Sequence, residues 1–155
     1  MPEVTLRDGT PADIDAMYAL DLLCFDKPFR FDLRSMRKYA THPEAIVLIA
    51  EADGEMRGFI VVNPSRRKAL HSAYVTTLDV HPHVRRRGIA RALVAEAERR
   101  AAATGAVSMQ LHVFTGNTDA IGFYESVGYE QLLLTEDFYS PGLDAFSYMK
   151  SLSTL

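Results

Sequence analysis

Cysteine is nearly absent from this sequence: among 155 residues there is one, Cys24. A single thiol excludes an internal disulfide and a zinc site built from thiolates, and a free thiol fits a reducing compartment. Long apolar runs are missing too. The longest, Ala45 to Ala50, falls far short of the roughly 20 residues that cross a bilayer, so no membrane-spanning segment is expected. Met1-Pro2-Glu3 lacks the basic and then apolar pattern of a secretory signal, and the expected location is the cytoplasm. Excess positive charge is lacking: 17 Lys and Arg against 20 Asp and Glu leave a formal net charge of −3, without the basic footprint of a nucleic-acid-binding domain. Neither the P-loop pattern nor the dinucleotide fingerprint occurs, which disfavours nucleotide hydrolysis and hydride transfer. No internal repeat, linker or low-complexity tract is present. With 48% hydrophobic and 24% charged residues the chain can bury one sizeable core, and residues 1–155 are read as a single domain.

The elements follow from periodicity and punctuation. Val4 to Arg7 alternates as a short strand, and Thr10-Pro11-Ala12-Asp13 is a capping box with proline at the first helical position. A helix to about Leu23 follows, with Ile14, Met17 and Leu20 or Asp21 at helical spacing. A second helix is expected from Asp32 to Thr41. Ile46 to Ala52 and Met56 to Val62 are apolar runs joined through Asp53-Gly54, a strong hairpin signal. Asn63 to His71 reads as a polar, basic connection. Tyr74 to Val80 is β-branched and apolar, a central strand stopped by Pro82. From Gly88, the positions Ile89, Ala92, Leu93 and Ala97 follow a helical period to Thr104, with Gly105 as the stop. Met109 to Val113 is a further strand. Asn117 caps a helix ended by Gly128, and Tyr129 to Leu134 and Asp144 to Met149 are strands around a turn containing Pro141-Gly142. The order β-α-α-β-β-β-α-β-α-β-β predicts an α/β (α+β) fold: a mixed central sheet of about seven strands with helices on both faces.

Although the net charge is negative, basic residues cluster at Arg66-Arg67-Lys68 and Arg85-Arg86-Arg87. The second cluster lies in a strand–turn–helix segment, Val80-His81-Pro82-His83-Val84-Arg85-Arg86-Arg87-Gly88-Ile89-Ala90-Arg91. A helix N-terminus offers unpaired N–H groups and the positive end of the macrodipole, which suits a pyrophosphate. Gly88 and the small Ala90 allow close backbone approach, and the arginines add charge. Arg66-Arg67-Lys68 reads as a solvated loop. His81 and His83 flank Pro82 with metal-like spacing, but no third ligand stands nearby and no metal is expected.

Arg85-x-x-Gly88-x-Ala90 resembles the acetyl-CoA signature of the GNAT acetyltransferases, with alanine at the position commonly held by glycine. Asn117-x-x-Ala120-Ile121-x-Phe123-Tyr124-Glu125-x-x-Gly128-Tyr129 is similar to the family's second signature, the helix and strand flanking the thioester end of the cofactor. Two signatures in order, about 30 residues apart, are far more specific than either alone. Within the superfamily, Tyr74-Val75-x-Thr77-Leu78, Leu111-His112-Val113 and Asp137-Phe138-Tyr139 resemble N-terminal protein acetyltransferases of the ribosomal-protein alanine type and the N-alpha type.

The resemblance implies an enzyme that uses acetyl-CoA, releases coenzyme A and acetylates an amine by direct attack. Cofactor contacts are implied at Leu78, Asp79 and Val80, whose main chain receives the pantetheine arm like an added strand. Further contacts are implied at Arg85, Arg86, Arg87, Gly88, Ile89, Ala90, Arg91, Asn117 and Tyr124. In some N-alpha enzymes a tyrosine and a histidine at the positions of Tyr74 and His112 serve the amine's deprotonation; bacterial alanine-type enzymes carry a glutamate where His112 stands. A protonated ammonium has no lone pair, so a base is required, and histidine is chemically suited to be one. Tyr124 corresponds to the family's general acid, which protonates the departing thiolate. Phe29, Phe138 and Tyr139 lie where related enzymes build the walls of a peptide slot.

The acceptor expected first is the α-amine of a protein or peptide N-terminus. A small amine, such as a polyamine, an amino acid or an aminoglycoside, is the alternative, and a non-catalytic acetyl-CoA sensor is a third. No nucleic-acid or membrane partner is expected, and the assembly is expected to be a monomer or homodimer.

Overall fold

The structure, a computed structural model, describes residues 3–67 and 70–152, the side chains of Arg66 and Arg67 excepted. Among these residues seven strands form one mixed sheet: β1 (Thr5–Asp8), β2 (Ile46–Ala52), β3 (Glu55–Arg67), β4 (Leu70–Val80), β5 (Ser108–Phe114), β6 (Glu130–Ser140) and β7 (Leu143–Ser151). Their spatial order is β1-β2-β3-β4-β5-β7-β6. The helices are α1 (Ile14–Cys24), α2 (Leu33–Ala40), α3 (Ile89–Ala103) and α4 (Thr118–Ser126). Element order and fold class are those read from the sequence.

Strand alternation divides the core in two. Leu48, Ala50, Ile60, Val62, Ala73, Val75, Met109, Leu111 and Val113 point to one face, where they meet Ile89, Leu93, Val94, Ala97 and Ala101 of α3 and Tyr124 of α4. The intervening Ile49, Phe59 and Val61 point to the other face and pack on Ile14, Met17 and Leu20 of α1 and Met36 of α2.

Local punctuation works as expected at most boundaries. Asp53 and Gly54 both take positive φ (55° and 74°), the geometry of a two-residue hairpin turn. Asn117 Oδ1 accepts from Ala120 N at 3.1 Å, capping α4. Asp13 Oδ2 accepts from Thr10 N at 2.8 Å in the capping box, whose first turn, Pro11–Asp13, is a 3-10 turn preceding α1.

Two boundaries differ. The segment read as a polar, basic connection is a strand pair: Asn63 to Arg67 pairs with Tyr74 to Leu70, extending the β3–β4 hairpin. The β2 partner ends at Val62, so Pro64, which has no N–H to donate, lies on an arm with a neighbour on one side only. Lys68 of the basic cluster falls outside the described residues. The strand read as Tyr129 to Leu134 continues to Ser140 as the sheet's edge.

Candidate active site

β4 and β5 run parallel and pair at two positions, Ala73 with Met109 and Tyr74 with Gln110. β4 continues to Val80 and β5 to Phe114, so the strands part and open a cleft in the sheet. On the other edge of β4, Leu78, Asp79 and Val80 remain paired to Ile60, Phe59 and Gly58. Gly58 is required there: a Cβ would lie 2.7 Å from the Asp79 carbonyl oxygen and 3.3 Å from Ile89 Cγ2. That contact seats the start of α3 on the β3–β4 pair.

The turn between β4 and α3 places Arg86 (φ 65°) and Gly88 (φ 82°) in the left-handed region. A Cβ on Gly88 would meet no protein atom within 4 Å, so within the fold itself the glycine serves the backbone angle. The first turn of α3 carries no acidic residue, and Arg85, Arg86, Arg87 and Arg91 are exposed around it. Ile89 is buried and Ala90 half-buried. Arg85 is partly committed elsewhere: its Nε donates to Val80 O at 3.1 Å, tying the turn to the end of β4. The Cys24 thiol donates to the same oxygen at 3.4 Å. A left-handed basic turn at a helix N-terminus, beside a strand edge that its neighbour leaves unpaired, fits an extended anionic cofactor. His81 serves the turn itself, its Nδ1 accepting from His83 N at 3.2 Å.

A bulge decides which side chains face the cleft. Val61 pairs with Thr77 but Val62 pairs with Val75, so Thr76 is an extra residue in β4. Without it, Tyr74 and Asp79 would point to opposite faces. With it, Tyr74 lies beside Asn63 and Asp79 beside Phe59, both on the α1–α2 face. Thr76 Oγ1 donates to Asn63 Oδ1, and Asn63 Nδ2 donates to Tyr39 O of α2, which pins the bulge.

On that face the Tyr74 hydroxyl and His112 Nδ1 share a hydrogen bond of 2.8 Å. Burial, then Tyr39, pushes the Tyr74 phenol up to about 12, so it is neutral at physiological pH. Which atom carries the shared proton is fixed by the imidazole tautomer. His112 stacks on Phe138 with ring centroids 4.2 Å apart and planes at 15°. Phe138 contacts Tyr139 at 4.9 Å, Tyr139 contacts Phe29 at 4.9 Å, and Phe29 contacts Phe114 at 4.9 Å. The loop after α1 and the β6–β7 hairpin thus meet over the cleft as one aromatic wall. Tyr124 is buried against Phe123 and Tyr129. Burial, then Asp79, Tyr139 and Tyr74, raise its phenol far above the ordinary range, so Tyr124 keeps its proton while lying near the same cluster.

Tyr74, His112, Tyr124, Phe29, Phe138 and Tyr139 are therefore brought together, with the α3 turn at the other end of the opening. Three partners were not legible in the sequence. Phe114 joins the wall as the last residue of β5, Tyr39 faces Tyr74 from α2, and Asp21 of α1 meets Asp79. The only sequence signal for the last was an acid at a helical spacing otherwise apolar.

Residues 14–129 match the acetyltransferase (GNAT) family, and the chain belongs to that family: it is an acetyl-CoA-dependent N-acetyltransferase. Among solved structures it is similar to the ribosomal-protein-S18-alanine N-acetyltransferase of Escherichia coli, with TM-score 0.85, 18% identity, and coverage of 99% of this chain and 96% of that one. It is similar to a chain of the NatC complex bound to Gag peptide and CoA, with TM-score 0.88, 19% identity and coverage of 97% and 99%. It also resembles Chaetomium thermophilum Naa20 in complex with a bisubstrate analogue, with TM-score 0.78, 27% identity and coverage of 95% and 86%. No helix among the described residues is long and apolar enough to cross a membrane.

Proposed function

We propose that this enzyme acetylates the N-terminal α-amine of a protein or peptide. The observation that carries the reading is the Tyr74–His112 hydrogen bond at the foot of the aromatic wall formed by Phe29, Phe114, Phe138 and Tyr139. Such a wall suits the first side chains of a polypeptide, with a basic nitrogen beside the amine. When bound, acetyl-CoA supplies an activated acetyl thioester.

The chain's own residues do the rest. The amides and arginines from Arg85 to Arg91 hold the phosphates, Leu78 to Val80 offer main-chain groups to the pantetheine arm, and Asn117 caps the helix beside it. With Nδ1–H donated to the Tyr74 oxygen, His112 presents Nε2 as the base that takes the amine's proton, directly or through water. Tyr74, neutral by burial, orients the imidazole. Tyr124 holds a proton at Oη for the departing thiolate. Similarity to the S18-alanine enzyme, to NatC with its bound peptide and to Naa20 with its bisubstrate analogue supports a peptide acceptor. A cytoplasmic location, where new N-termini emerge, accords with it.

The test is thiol release from acetyl-CoA by the purified protein. Acceptors are peptides varied at their first two residues, the same peptides with blocked N-termini, and a set of small amines. Release with free peptides and not blocked ones is expected. Release with a small amine alone refutes the peptide reading, as does tight acetyl-CoA binding without turnover of any amine.

A further inference from the structure

A pair of buried acids lies between the acceptor wall and β4, and the chemistry above makes no use of it. Asp21 in α1 and Asp79 near the end of β4 are 0% and 1% exposed. Asp79 Oδ1 accepts from Thr77 Oγ1 at 2.5 Å, and Asp21 Oδ2 accepts from Phe31 N at 2.9 Å. The remaining oxygens, Asp21 Oδ1 and Asp79 Oδ2, are buried and receive no hydrogen bond from a donor among the described residues. Cys24, one turn further along α1, reaches Val80 O next to Asp79, so the two acids lie where α1 meets the end of β4, and Asp21 acts directly on Asp79.

Two ionised carboxylates in contact away from water repel strongly. One proton between them removes the repulsion and satisfies both orphaned oxygens with a charge-assisted bond. Burial, then Asp21, drives the Asp79 carboxyl well above the usual range, with Thr77 and Arg85 opposing. The groups facing the pair fit a single negative charge there. Burial, then Asp79, pushes the Cys24 thiol of α1 up to about 11, and Tyr124 of α4 also stays neutral. Arg85 is the cation on the turn side.

The attachments of the pair say what it holds. Asp21 grips the amide of Phe31, closing the loop that carries Phe29 of the aromatic wall. Asp79 belongs to the β4 segment assigned above to the cofactor, and Cys24 fastens the same loop's start to Val80 O. We infer that Asp21 and Asp79 share one proton and are positioning residues: the bond between them fixes the Phe29 loop, one wall of the acceptor cleft, to the end of β4. The consequence for the acceptor rests on the cleft reading proposed above; the shared proton itself does not. As alkaline pH removes that proton, two facing charges loosen the wall. Acceptor KM then rises while acetyl-CoA affinity holds.

Asp21→Asn separates the possibilities. Its amide donates to the Asp79 carboxylate and its oxygen still accepts from Phe31, so charge and bonds match the shared-proton pair without a titrating proton. Asp21→Ala breaks the bond. Acceptor KM in the wild type is expected to climb about tenfold from neutral to alkaline pH, with Asp21→Asn lacking the climb and Asp21→Ala raised about tenfold already at neutral pH. Carbon NMR of aspartate-labelled wild type, recorded without any acceptor, is expected to show a neutral carboxylic acid at neutral pH that is absent in Asp21→Asn. Two ionised carboxylates at neutral pH overturn the proposal. So does an alkaline climb retained in Asp21→Asn, or an Asp21→Ala profile equal to wild type. If Asp21→Ala does not fold, wild type and Asp21→Asn alone decide. If only a small amine is turned over, KM is read with that amine and the NMR result stands.

Discussion

The two faces of the sheet use the same strands for opposite purposes. The α3 face is a packed apolar surface, with Leu93, Val94, Met109 and Leu111 fully buried. Its ionic contacts lie toward the rim, where Lys150 Nζ donates to Glu98 Oε1 at 2.9 Å and Tyr129 to Glu98 Oε2 at 2.8 Å. The α1–α2 face carries Tyr74, His112, Asn63, Thr76, Thr77 and the Asp21–Asp79 pair on the same strand pairs and the helix above them. Apart from Tyr124 and the turn that opens α3, the first face is spent on stability, so the other can carry polar groups that cost stability and perform chemistry. The Thr76 bulge is the device that gathers them on one side.

The largest effect expected from breaking that contrast is on turnover. His112→Ala should lower kcat by about 10²- to 10⁴-fold, read from thiol release with a peptide acceptor, while the thermal midpoint barely moves. On the opposite face, Leu93→Ala should cost about 2–5 kcal/mol in denaturant unfolding, because its side chain is fully buried against the sheet. The surviving folded fraction should keep its kcat. Gly58→Ala tests the seam between the faces: a Cβ 2.7 Å from the Asp79 carbonyl should cost about 1–3 kcal/mol and weaken acetyl-CoA binding as well. Tyr74→Phe should lower kcat about tenfold, the equivalent of one lost hydrogen bond to His112.

The smallest effect lies outside both faces. Arg7 holds the Asp13 carboxyl at about 2, against an ordinary 3.8. A depressed carboxyl contributes stability above its unfolded value that is lost as pH falls through the folded one. Asp13→Asn should therefore be less stable than wild type at neutral pH by under about 1 kcal/mol, with the difference vanishing as pH falls toward 2. A difference that persists in acid would mean that packing, not charge, is involved.

The same contrast explains what the sequence could tell. Periodicity located the α3 face because Ile89, Leu93 and Ala97 meet strands whose apolar residues also alternate. Asp53-Gly54, Asn117 and Gly128 marked their turns and caps because each satisfies a local backbone need. His112, Tyr74 and Tyr124 were named through two motifs and a resemblance, not through any periodic signal. The long β3–β4 arm was missed because Asn63, Pro64 and Ser65 read as a loop, and nothing local shows that Pro64 needs only one strand neighbour. The outer half of β6 was missed because an edge strand exposed on both faces has no alternation to read. The Asp21–Asp79 contact and the Thr76 bulge depend on how distant segments register, which no local pattern carries.

The division between the cofactor turn at the start of α3 and the acceptor chemistry on the α1–α2 face is tested most directly by acetyl-CoA affinity in two variants measured side by side, Gly88→Ala and His112→Ala. Forcing alanine into the left-handed turn at φ 82° costs about 1–2 kcal/mol, so Gly88→Ala should bind acetyl-CoA about tenfold more weakly. His112→Ala should bind it within about twofold of wild type. Equal losses in both, or a loss in His112→Ala alone, would be incompatible with that division.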